Sequence, residues 1–197
     1  MIANVLKQKL DIKAELPILT PSEVRQRFAA VLMLLIPGEN GPELVFTRRS
    51  QELPSHAGQI SFPGGSVDAG DPDPIYTALR ESEEEIGLKR DKVEILGTLD
   101  WYQMPSGFVV LPVVGHLLEV QDFIAEPGEV VDIFTLAVRD LLDTRQFKQD
   151  KIVRDNIKRT FYYIDINGYY IWGATAYMLR KLMLTLDNDE ATGWLKR

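Results

Sequence analysis

Apolar residues occur in short runs or alternate with polar residues along most of the chain, and this pattern predicts a mixed α/β protein. A continuous apolar run at 28–36 indicates a buried strand, and residues 43–48 indicate a second strand. Residues 161–166 and 169–172 are β-rich and flank the dipeptide Asn167-Gly168, which is typical of a tight hairpin turn. Further strands are predicted at 59–62, 93–99, 108–118 and 128–136.

Helical periodicity is clearest at 73–86. Asp73 is suited to cap this helix and Pro74 to occupy its first position, whereas Gly87 is suited to end it. Because the 197 residues contain no internal repeat and no long linker, we expect them to form one domain. Other helices or helical turns are predicted within 1–15 and at 20–27, 138–142 and 174–186.

Composition narrows the classes of function. The absence of cysteine excludes disulfide scaffolds, thiolate zinc sites and cysteine nucleophiles. Only two histidines are present, His56 and His116, so a bound metal is expected to be a hard cation held by oxygen. A net charge of −7 without a basic cluster disfavours binding to a nucleic-acid backbone. A phosphorylated ligand remains compatible with this charge if a cation or local arginines supply positive charge.

No segment is suited to cross a membrane. The most apolar run, residues 28–36, is much shorter than the roughly 20 residues that a helix needs to span a bilayer. The first residues lack the basic segment and apolar run of a secretion signal. We therefore expect a cytoplasmic protein that binds no membrane. The sequence leaves the oligomeric state open, with a homodimer among the alternatives.

An acidic cluster lies in the predicted helix at 73–86. Glu81, Glu84 and Glu85 are spaced so that they share one helix face. Carboxylates at this spacing repel each other until a proton or a cation relieves them, and oxygen ligands favour Mg²⁺ or Mn²⁺. Glutamate-rich helix faces are also common as simple solvated surface, so the glutamates alone leave both interpretations open. Arg80 can pair with Glu83 or Glu84.

A Phe-Pro-Gly-Gly segment at 62–65 precedes this helix, and its glycines allow the backbone to approach phosphate oxygens closely. The segment and the helix together resemble the signature of the Nudix hydrolases, Gly-x5-Glu-x7-Arg-Glu-aliphatic-x-Glu-Glu-x-Gly-aliphatic. The matching positions are Gly65, Arg80, Glu81, Glu84, Glu85, Gly87 and Leu88. Three departures occur: Asp71 replaces the first glutamate, eight residues separate it from Arg80, and Ser82 replaces an aliphatic residue.

Two segments upstream of the signature, at 44–50 and 56–65, resemble the additional motif of the coenzyme A pyrophosphatase branch of that family. Members of this branch can carry the longer loop that contains an aspartate. The resemblance implies a single Nudix domain over 1–197, with an N-terminal extension at 1–27, a family-like core at 28–175, and a C-terminal helix and tail at 176–197. Segments at 105–112, 129–134 and 171–173 resemble later blocks of the same branch.

The resemblance implies a fold and an activity. The fold class is α/β, a Nudix-like α/β/α sandwich with a mixed central sheet and a loop-helix-loop catalytic motif. The activity is divalent-metal-dependent hydrolysis of the diphosphate bond of coenzyme A or its derivatives, which gives a phosphopantetheine fragment and adenosine 3′,5′-bisphosphate. One alternative is hydrolysis of another nucleoside diphosphate derivative, such as a nucleotide sugar, a dinucleotide or a nucleoside triphosphate. Another is a non-catalytic nucleotide-binding Nudix module, which the intact Arg-Glu and Glu-Glu pairs disfavour.

The resemblance also implies roles for the acidic helix. Glu81, Glu84 and Glu85 are the expected metal ligands, with Glu84 alternatively acting as the catalytic base that deprotonates water. Arg80 is the other expected catalytic residue. It either contacts a substrate phosphate or orients the glutamates through ion pairs, and its ready-made helical partners favour the second role.

Substrate contacts are expected from residues upstream of the helix, namely Arg48, Arg49, His56, Gly64 and Gly65. Since side chains alternate along a strand, only one of Arg48 and Arg49 can face the site. His56 either contacts the substrate or stabilises its own loop through a hydrogen bond. Glu129 either reaches the metal site from a distant loop or is a solvated surface residue.

Overall fold

The computed structural model describes residues 2–13, 15–16, 27–154 and 157–187. The helix expected at 20–27 lies outside these residues except for Arg27, which begins a strand. The helices are α1 (Ile2–Lys9), α2 (Pro74–Ile86), α3 (Val138–Leu141) and α4 (Gly173–Asp187). The strands are β1 (Arg27–Gly38), β2 (Gly41–Arg49), β3 (Ile60–Ser61), β4 (Gly64–Ser66), β5 (Val93–Thr98), β6 (Tyr102–Gln103), β7 (Phe108–Leu117), β8 (Val130–Ala137), β9 (Lys148–Arg154), β10 (Ile157–Ile166) and β11 (Tyr169–Trp172).

The central sheet has the strand order β3-β2-β1-β7-β5, with β4 paired to β1, β6 to β7 and β8 to β2. Strands β1 and β7 run parallel, in a register that extends from Arg27 opposite Phe108 to Leu35 opposite His116. The other described pairings in this sheet are antiparallel. The expected mixed central sheet is therefore confirmed.

A second, three-stranded antiparallel sheet has the order β11-β10-β9. The turn between β10 and β11 is formed by Asn167 and Gly168, whose φ angles of 53° and 81° suit the tight hairpin turn that the sequence predicts. Strand β9 is not indicated by the pattern of apolar residues. It lies at an edge of its sheet, where charged side chains are favoured over apolar ones.

Helices cover both faces of the central sheet, so the expected α/β/α sandwich is confirmed. Along β1, Ala30, Leu32 and Leu34 pack on one face with residues of α2, including Ala78 and Ile86. On the opposite face, the neighbouring β1 residues join a larger cluster with α1 and α4, and this cluster includes Met33, Leu35, Leu6, Leu179 and Leu182. Among the described helices, the alternation of β1 therefore places α2 against one side of the sheet and α1 and α4 against the other.

Helix α4 contributes an apolar stripe to the larger cluster, with Ala176, Leu179 and Met183 fully buried. Its first turn is tied to the central sheet because the Thr175 hydroxyl donates to the carbonyl of Ile60 at 3.1 Å. In the part of the chain that the structure describes, no helix is both long and apolar enough to cross a bilayer.

Candidate active site

Helix α2 carries the acidic cluster, and local signals fix both of its ends. The Asp73 side chain accepts a hydrogen bond from the Tyr76 N–H at 2.8 Å, and Pro74 occupies the first helical position. Gly87 ends the helix in the left-handed conformation, with φ 66°, and its N–H donates to the Glu83 carbonyl. The predicted start and end of this helix are confirmed.

Ser82, which replaces an aliphatic residue of the signature, is fully buried on the side of α2 that faces the sheet. Its hydroxyl donates to the carbonyl of Ala78 one turn earlier, at 2.6 Å. A buried hydroxyl without a partner would be costly, but this one is satisfied within the helix. The departure from the signature therefore leaves the helix and its packing intact.

Glu85 is the most deeply buried of the three glutamates, with 3% of its side chain exposed. Its Oε2 accepts from the Gly64 N–H at 3.1 Å, and its Oε1 lies 3.4 Å from Arg49 Nη1. Burial raises the pKa of Glu85 to about 7, although these two donors act in the opposite direction. The charges of Glu129 and Glu81 raise the same pKa further.

Glu81 and Glu84 are progressively more exposed, with 18% and 58% of their side chains accessible. Both contact Nη1 of Arg80, Glu81 at 2.9 Å and Glu84 at 3.1 Å. Burial raises the pKa of Glu81, the Arg80 charge lowers it, and the charges of Glu84 and Glu129 raise it again. The exposure of the three carboxylates thus increases from Glu85, on the side of α2 that faces the sheet, to Glu84, on the side that faces solvent.

Arg80 is the electrostatic link between the acidic helix and the preceding loop. Its Nε and Nη2 each lie 3.0 Å from an oxygen of Asp71, which is a bidentate pair. This pairing lowers the pKa of Asp71 to about 2 and raises that of Arg80. Arg80 therefore contacts Asp71, Glu81 and Glu84. The alternative pairing of Arg80 with Glu83 is not the one formed. Glu83 points away from Arg80 and instead pairs with Arg90 at 2.7 Å.

Two glycines bring the backbone of β4 against the acidic helix. Gly64 has φ 148°, and a Cβ there would overlap the carbonyl oxygen of Ala30. A Cβ on Gly65 would overlap the carboxylate of Glu81. Glycine is required at position 64, where the obstacle is the backbone of β1, whereas at position 65 the obstacle is the flexible end of Glu81, which could move aside. The sequence analysis singles out both residues, and the structure places both beside the carboxylates.

Arg48 and Arg49 are neighbours on β2 but contact different groups, and the β2–β8 register shifts between them. Arg49 reaches Glu85, and its Nε is buried without a hydrogen-bond partner among the described residues. Arg48 instead lies 3.8 Å from Asp132 and 5.6 Å from the centre of the Tyr169 ring. Of the two expected substrate contacts, the structure therefore brings only Arg49 to the acidic helix.

His56 is exposed in the loop that follows β2 and has φ 57°. Its Nδ1 lies 2.9 Å from Oε1 of Gln59, and its carbonyl accepts from the Gln59 N–H. These contacts are the loop-stabilising bonds that the sequence analysis names as the alternative. A contact between His56 and substrate stays a prediction.

Glu129 is exposed in the loop before β8, and its charge contributes to raising the pKa of both Glu81 and Glu85. The Glu129 carbonyl accepts from the Ser50 N–H at 2.7 Å, which joins this loop to the end of β2. From the sequence alone, Glu129 is either a residue that reaches the metal site or a solvated surface residue. The structure places it within electrostatic reach of the acidic helix.

The donor set of this site fits a hard divalent cation. Its side-chain donors are carboxylate oxygens. Burial, with a smaller contribution from their mutual repulsion, raises the pKa of Glu81 and Glu85, and a bound cation would relieve that repulsion. Within the described residues, however, no three acidic or histidine side chains converge closely enough to hold a metal ion. Glu81 and Glu84 form ion pairs with Arg80, whereas Glu85 accepts a hydrogen bond from the Gly64 N–H and pairs with Arg49. Metal binding by these glutamates stays a prediction.

Two features of the site are not anticipated from the sequence. The bidentate Asp71–Arg80 pair fills the position where the signature has a glutamate, and the charge complementarity of the two residues was the available signal. The second feature is the contact between residues 121–126 and the end of α2, made by backbone groups and one glutamine. Backbone contacts of this kind leave no mark in the residue pattern.

Comparison with known proteins gives consistent matches. The NUDIX domain family model matches residues 26–156. A protein of Photorhabdus laumondii, named uncharacterized Nudix hydrolase NudL, is 37% identical over 156 residues, which cover 79% of this chain and 83% of that protein. The protein of the same name from Pectobacterium atrosepticum is 35% identical over 164 residues, which cover 83% of this chain and 85% of that protein.

Solved structures match the fold. A Nudix hydrolase from M. smegmatis, RenU, aligns with a TM-score of 0.50 and 19% identity over 60% of this chain and 74% of that one. The C. elegans Ap4A hydrolase aligns with a TM-score of 0.50 and 20% identity over 58% of this chain and 83% of that one. At this level of identity the likeness concerns the fold alone.

Proposed function

This chain belongs to the Nudix family, and from that premise we propose that it hydrolyses the diphosphate bond of coenzyme A or a coenzyme A derivative, with Mg²⁺ or Mn²⁺ as cofactor. Family membership itself assigns hydrolase activity on a nucleoside diphosphate derivative. The choice of coenzyme A among nucleoside diphosphate derivatives is our more specific proposal. It rests on the motif at 44–50 and 56–65 and on where that motif lies in the fold.

The position of Arg49 is the observation that carries the proposal. The segments that resemble the coenzyme A pyrophosphatase motif pack directly on the acidic helix, since Arg49 and the Gly64 N–H both contact Glu85. The buried Nε atoms of Arg49 and Arg48 both have no hydrogen-bond partner among the described residues, but only the Arg49 guanidinium contacts Glu85, so Arg49 is the one with an unused donor close to the acidic helix. An arginine in this state is suited to bind a phosphate oxygen.

The charge of the site supports a cation-dependent reaction. Four negative charges lie within electrostatic reach of one another, those of Glu81, Glu84, Glu85 and Glu129. The positive charge next to them comes from Arg49 and Arg80. Arg80 is already paired with Asp71. A diphosphate would therefore meet excess negative charge. A bound divalent cation would neutralise the phosphates and lower the pKa of a water molecule.

The reaction adds water across the P–O–P bond. The water oxygen bonds to one phosphorus, and the bridging oxygen leaves with the other phosphate. We propose Glu81 and Glu85 as the principal cation ligands, one helical turn apart. Glu84, the most exposed of the three, either completes the ligand set or accepts the proton of the water. Arg80 orients Glu81 and Glu84, because it holds both through the same nitrogen.

Arg49→Ala is expected to raise KM for the diphosphate substrate by about tenfold or more, since a charge-assisted hydrogen bond contributes about 1.5–3 kcal/mol. Arg48→Ala removes a neighbouring arginine that points to Asp132, and KM is expected to change by at most about threefold. Steady-state kinetics of the two variants side by side make the comparison. Equal effects would contradict the assignment of Arg49 to the phosphate.

A substrate panel tests the choice of coenzyme A. Coenzyme A, acetyl-coenzyme A, ADP-ribose, NADH, a dinucleoside polyphosphate and a dNTP are each offered with Mn²⁺, and products are identified by mass spectrometry. The highest kcat/KM is expected for coenzyme A or its thioester. A preference for another diphosphate would retain the Nudix assignment and reject the upstream motif as a guide to substrate. No turnover of any compound would favour a binding module.

A further inference from the structure

Residues 121–130 form a segment, here called the strap, that crosses the carboxyl-terminal end of α2 and leads into β8. The Ile124 N–H donates to the carbonyl of Ile86 at 3.0 Å, and the Glu126 N–H donates to the carbonyl of Glu85 at 2.9 Å. The last carbonyls of a helix have no partner within the helix. The strap supplies those partners, so its path is defined by the end of the helix that carries the acidic cluster.

Gln121 fastens the start of the strap through both functions of its amide. Its Oε1 accepts from the Lys89 N–H at 3.0 Å, and its Nε2 donates to the carbonyl of Gly87 at 3.0 Å. The same Nε2 lies 3.3 Å from the carbonyl of Asp122. The Gln121 side chain therefore joins the strap to Gly87 and Lys89, immediately after α2.

The far end of the strap carries Glu129. The Glu129 N–H donates to the Glu126 carbonyl at 3.0 Å, and its own carbonyl accepts from the Ser50 N–H at 2.7 Å. Ser50 is buried and follows Arg49, which contacts Glu85. Glu129 is thus held by backbone bonds between the end of α2 and the end of β2, while its side chain is exposed and its charge acts on Glu81 and Glu85.

We propose that Gln121 is a positioning residue for the reaction, because its amide fixes the strap and thereby sets the distance of Glu129 from Glu81 and Glu85. The proposal rests on the proposed function, in which these carboxylates hold a cation. The side-chain hydrogen bonds of Gln121 in the described part of the chain go to backbone groups of Gly87, Lys89 and Asp122, and none of them goes to the acidic side chains or to Arg49. The effect of Gln121 on the reaction is therefore expected to depend on the presence of Glu129. A general contribution of Gln121 to stability would not depend on Glu129.

A double-mutant cycle with Gln121→Ala and Glu129→Gln tests the coupling. Gln121→Ala is expected to lower kcat about tenfold and to weaken Mn²⁺ binding by a similar factor, which is the lower end of the effect of residues that support metal ligands indirectly. KM is expected to stay nearly unchanged. In the Glu129→Gln background, Gln121→Ala is expected to cost no more than about twofold further. Mn²⁺ affinity is measured by calorimetry without substrate, and kinetics use whichever diphosphate the wild type hydrolyses.

Gln146→Ala is the matched control, since Gln146 Nε2 donates to the Asp140 carbonyl at 3.0 Å in a comparable amide–carbonyl bond. Its kcat and Mn²⁺ affinity are expected to equal those of the wild type. Additive effects in the cycle, or an unchanged Mn²⁺ affinity in Gln121→Ala, would overturn the positioning role whatever the substrate. A wild type that binds Mn²⁺ but does not hydrolyse coenzyme A would overturn the substrate proposal alone, and one that binds no Mn²⁺ would overturn both.

Discussion

Glu85→Gln is expected to lower kcat at least about 100-fold at saturating Mn²⁺ while the protein stays folded. Glu85 is the buried carboxylate next to both Gly64 and Arg49, and loss of a charged cation ligand removes several kcal/mol of transition-state stabilisation. The glutamine oxygen retains the bond from the Gly64 N–H, so the β4 loop keeps its position. Steady-state kinetics and circular dichroism of the variant check both parts. Near-wild-type kcat would reject Glu85 as a ligand.

The same variant is expected to be more stable than the wild type without metal at alkaline pH. Burial raises the pKa of Glu85 to about 7, so the folded state holds its proton while the unfolded chain, with a pKa near 4.5, releases it. Wild-type stability therefore falls as pH rises from about 4.5 to about 7, and the penalty of up to about 3 kcal/mol persists above that range. Glutamine does not titrate and removes this penalty.

Urea unfolding in chelator at pH 5 and pH 8 measures this effect. The difference in unfolding free energy between Glu85→Gln and wild type is expected to be larger at pH 8. Added Mn²⁺ is expected to stabilise the wild type and not the variant, because ligand binding to the folded state alone shifts the unfolding equilibrium. A difference that is the same at both pH values would contradict the burial of an ionisable carboxyl at this position.

Gly64→Ala is expected to destabilise the fold by about 3 kcal/mol or more and to abolish activity. The residue has φ 148°, which disfavours a side chain, and the added methyl would overlap the Ala30 carbonyl, which cannot move without distorting β1. The backbone shift that relieves this overlap would also carry the Gly64 N–H away from Glu85. Thermal unfolding and kcat of the variant test both effects.

Gly70→Ala is the matched control for this substitution. Gly70 lies in the loop between β4 and α2, and an added Cβ would meet no heavy atom within 4 Å. Its melting temperature and kcat are expected to equal those of the wild type. If Gly64→Ala were as stable and as active as Gly70→Ala, the close approach of β4 to β1 and to the acidic helix would be wrong.

The fold was predictable where one residue pattern indicated one structure. The long apolar run of β1, the capped helix α2 and the Asn-Gly hairpin each combine periodicity with a terminal signal, and their boundaries agree with the structure to within a few residues. The short strands β4 and β6 and the charged edge strand β9 were not found. Their positions depend on pairing with distant strands, which local periodicity does not report.

The site was predictable as a set of residue types but not as a set of contacts. The helical spacing places Glu81, Glu84 and Glu85 near one another, yet their unequal burial depends on how α2 packs against the sheet. Strand alternation shows that only one of Arg48 and Arg49 can face the site, but not which one. In the structure Arg49 is the one that contacts Glu85, and the β2–β8 register shifts between the two arginines, which local periodicity does not report.

The most direct test of the account is product analysis of coenzyme A incubated with Mn²⁺ and either the wild type or Glu85→Gln, each with and without chelator. The wild type is expected to release adenosine 3′,5′-bisphosphate and a phosphopantetheine fragment, and chelator is expected to stop the release. Glu85→Gln is expected to release neither product at a comparable rate. Release that survives chelator, or that is equally fast with Glu85→Gln, would contradict a cation-dependent reaction on the acidic helix. The absence of release by the wild type would contradict coenzyme A as substrate.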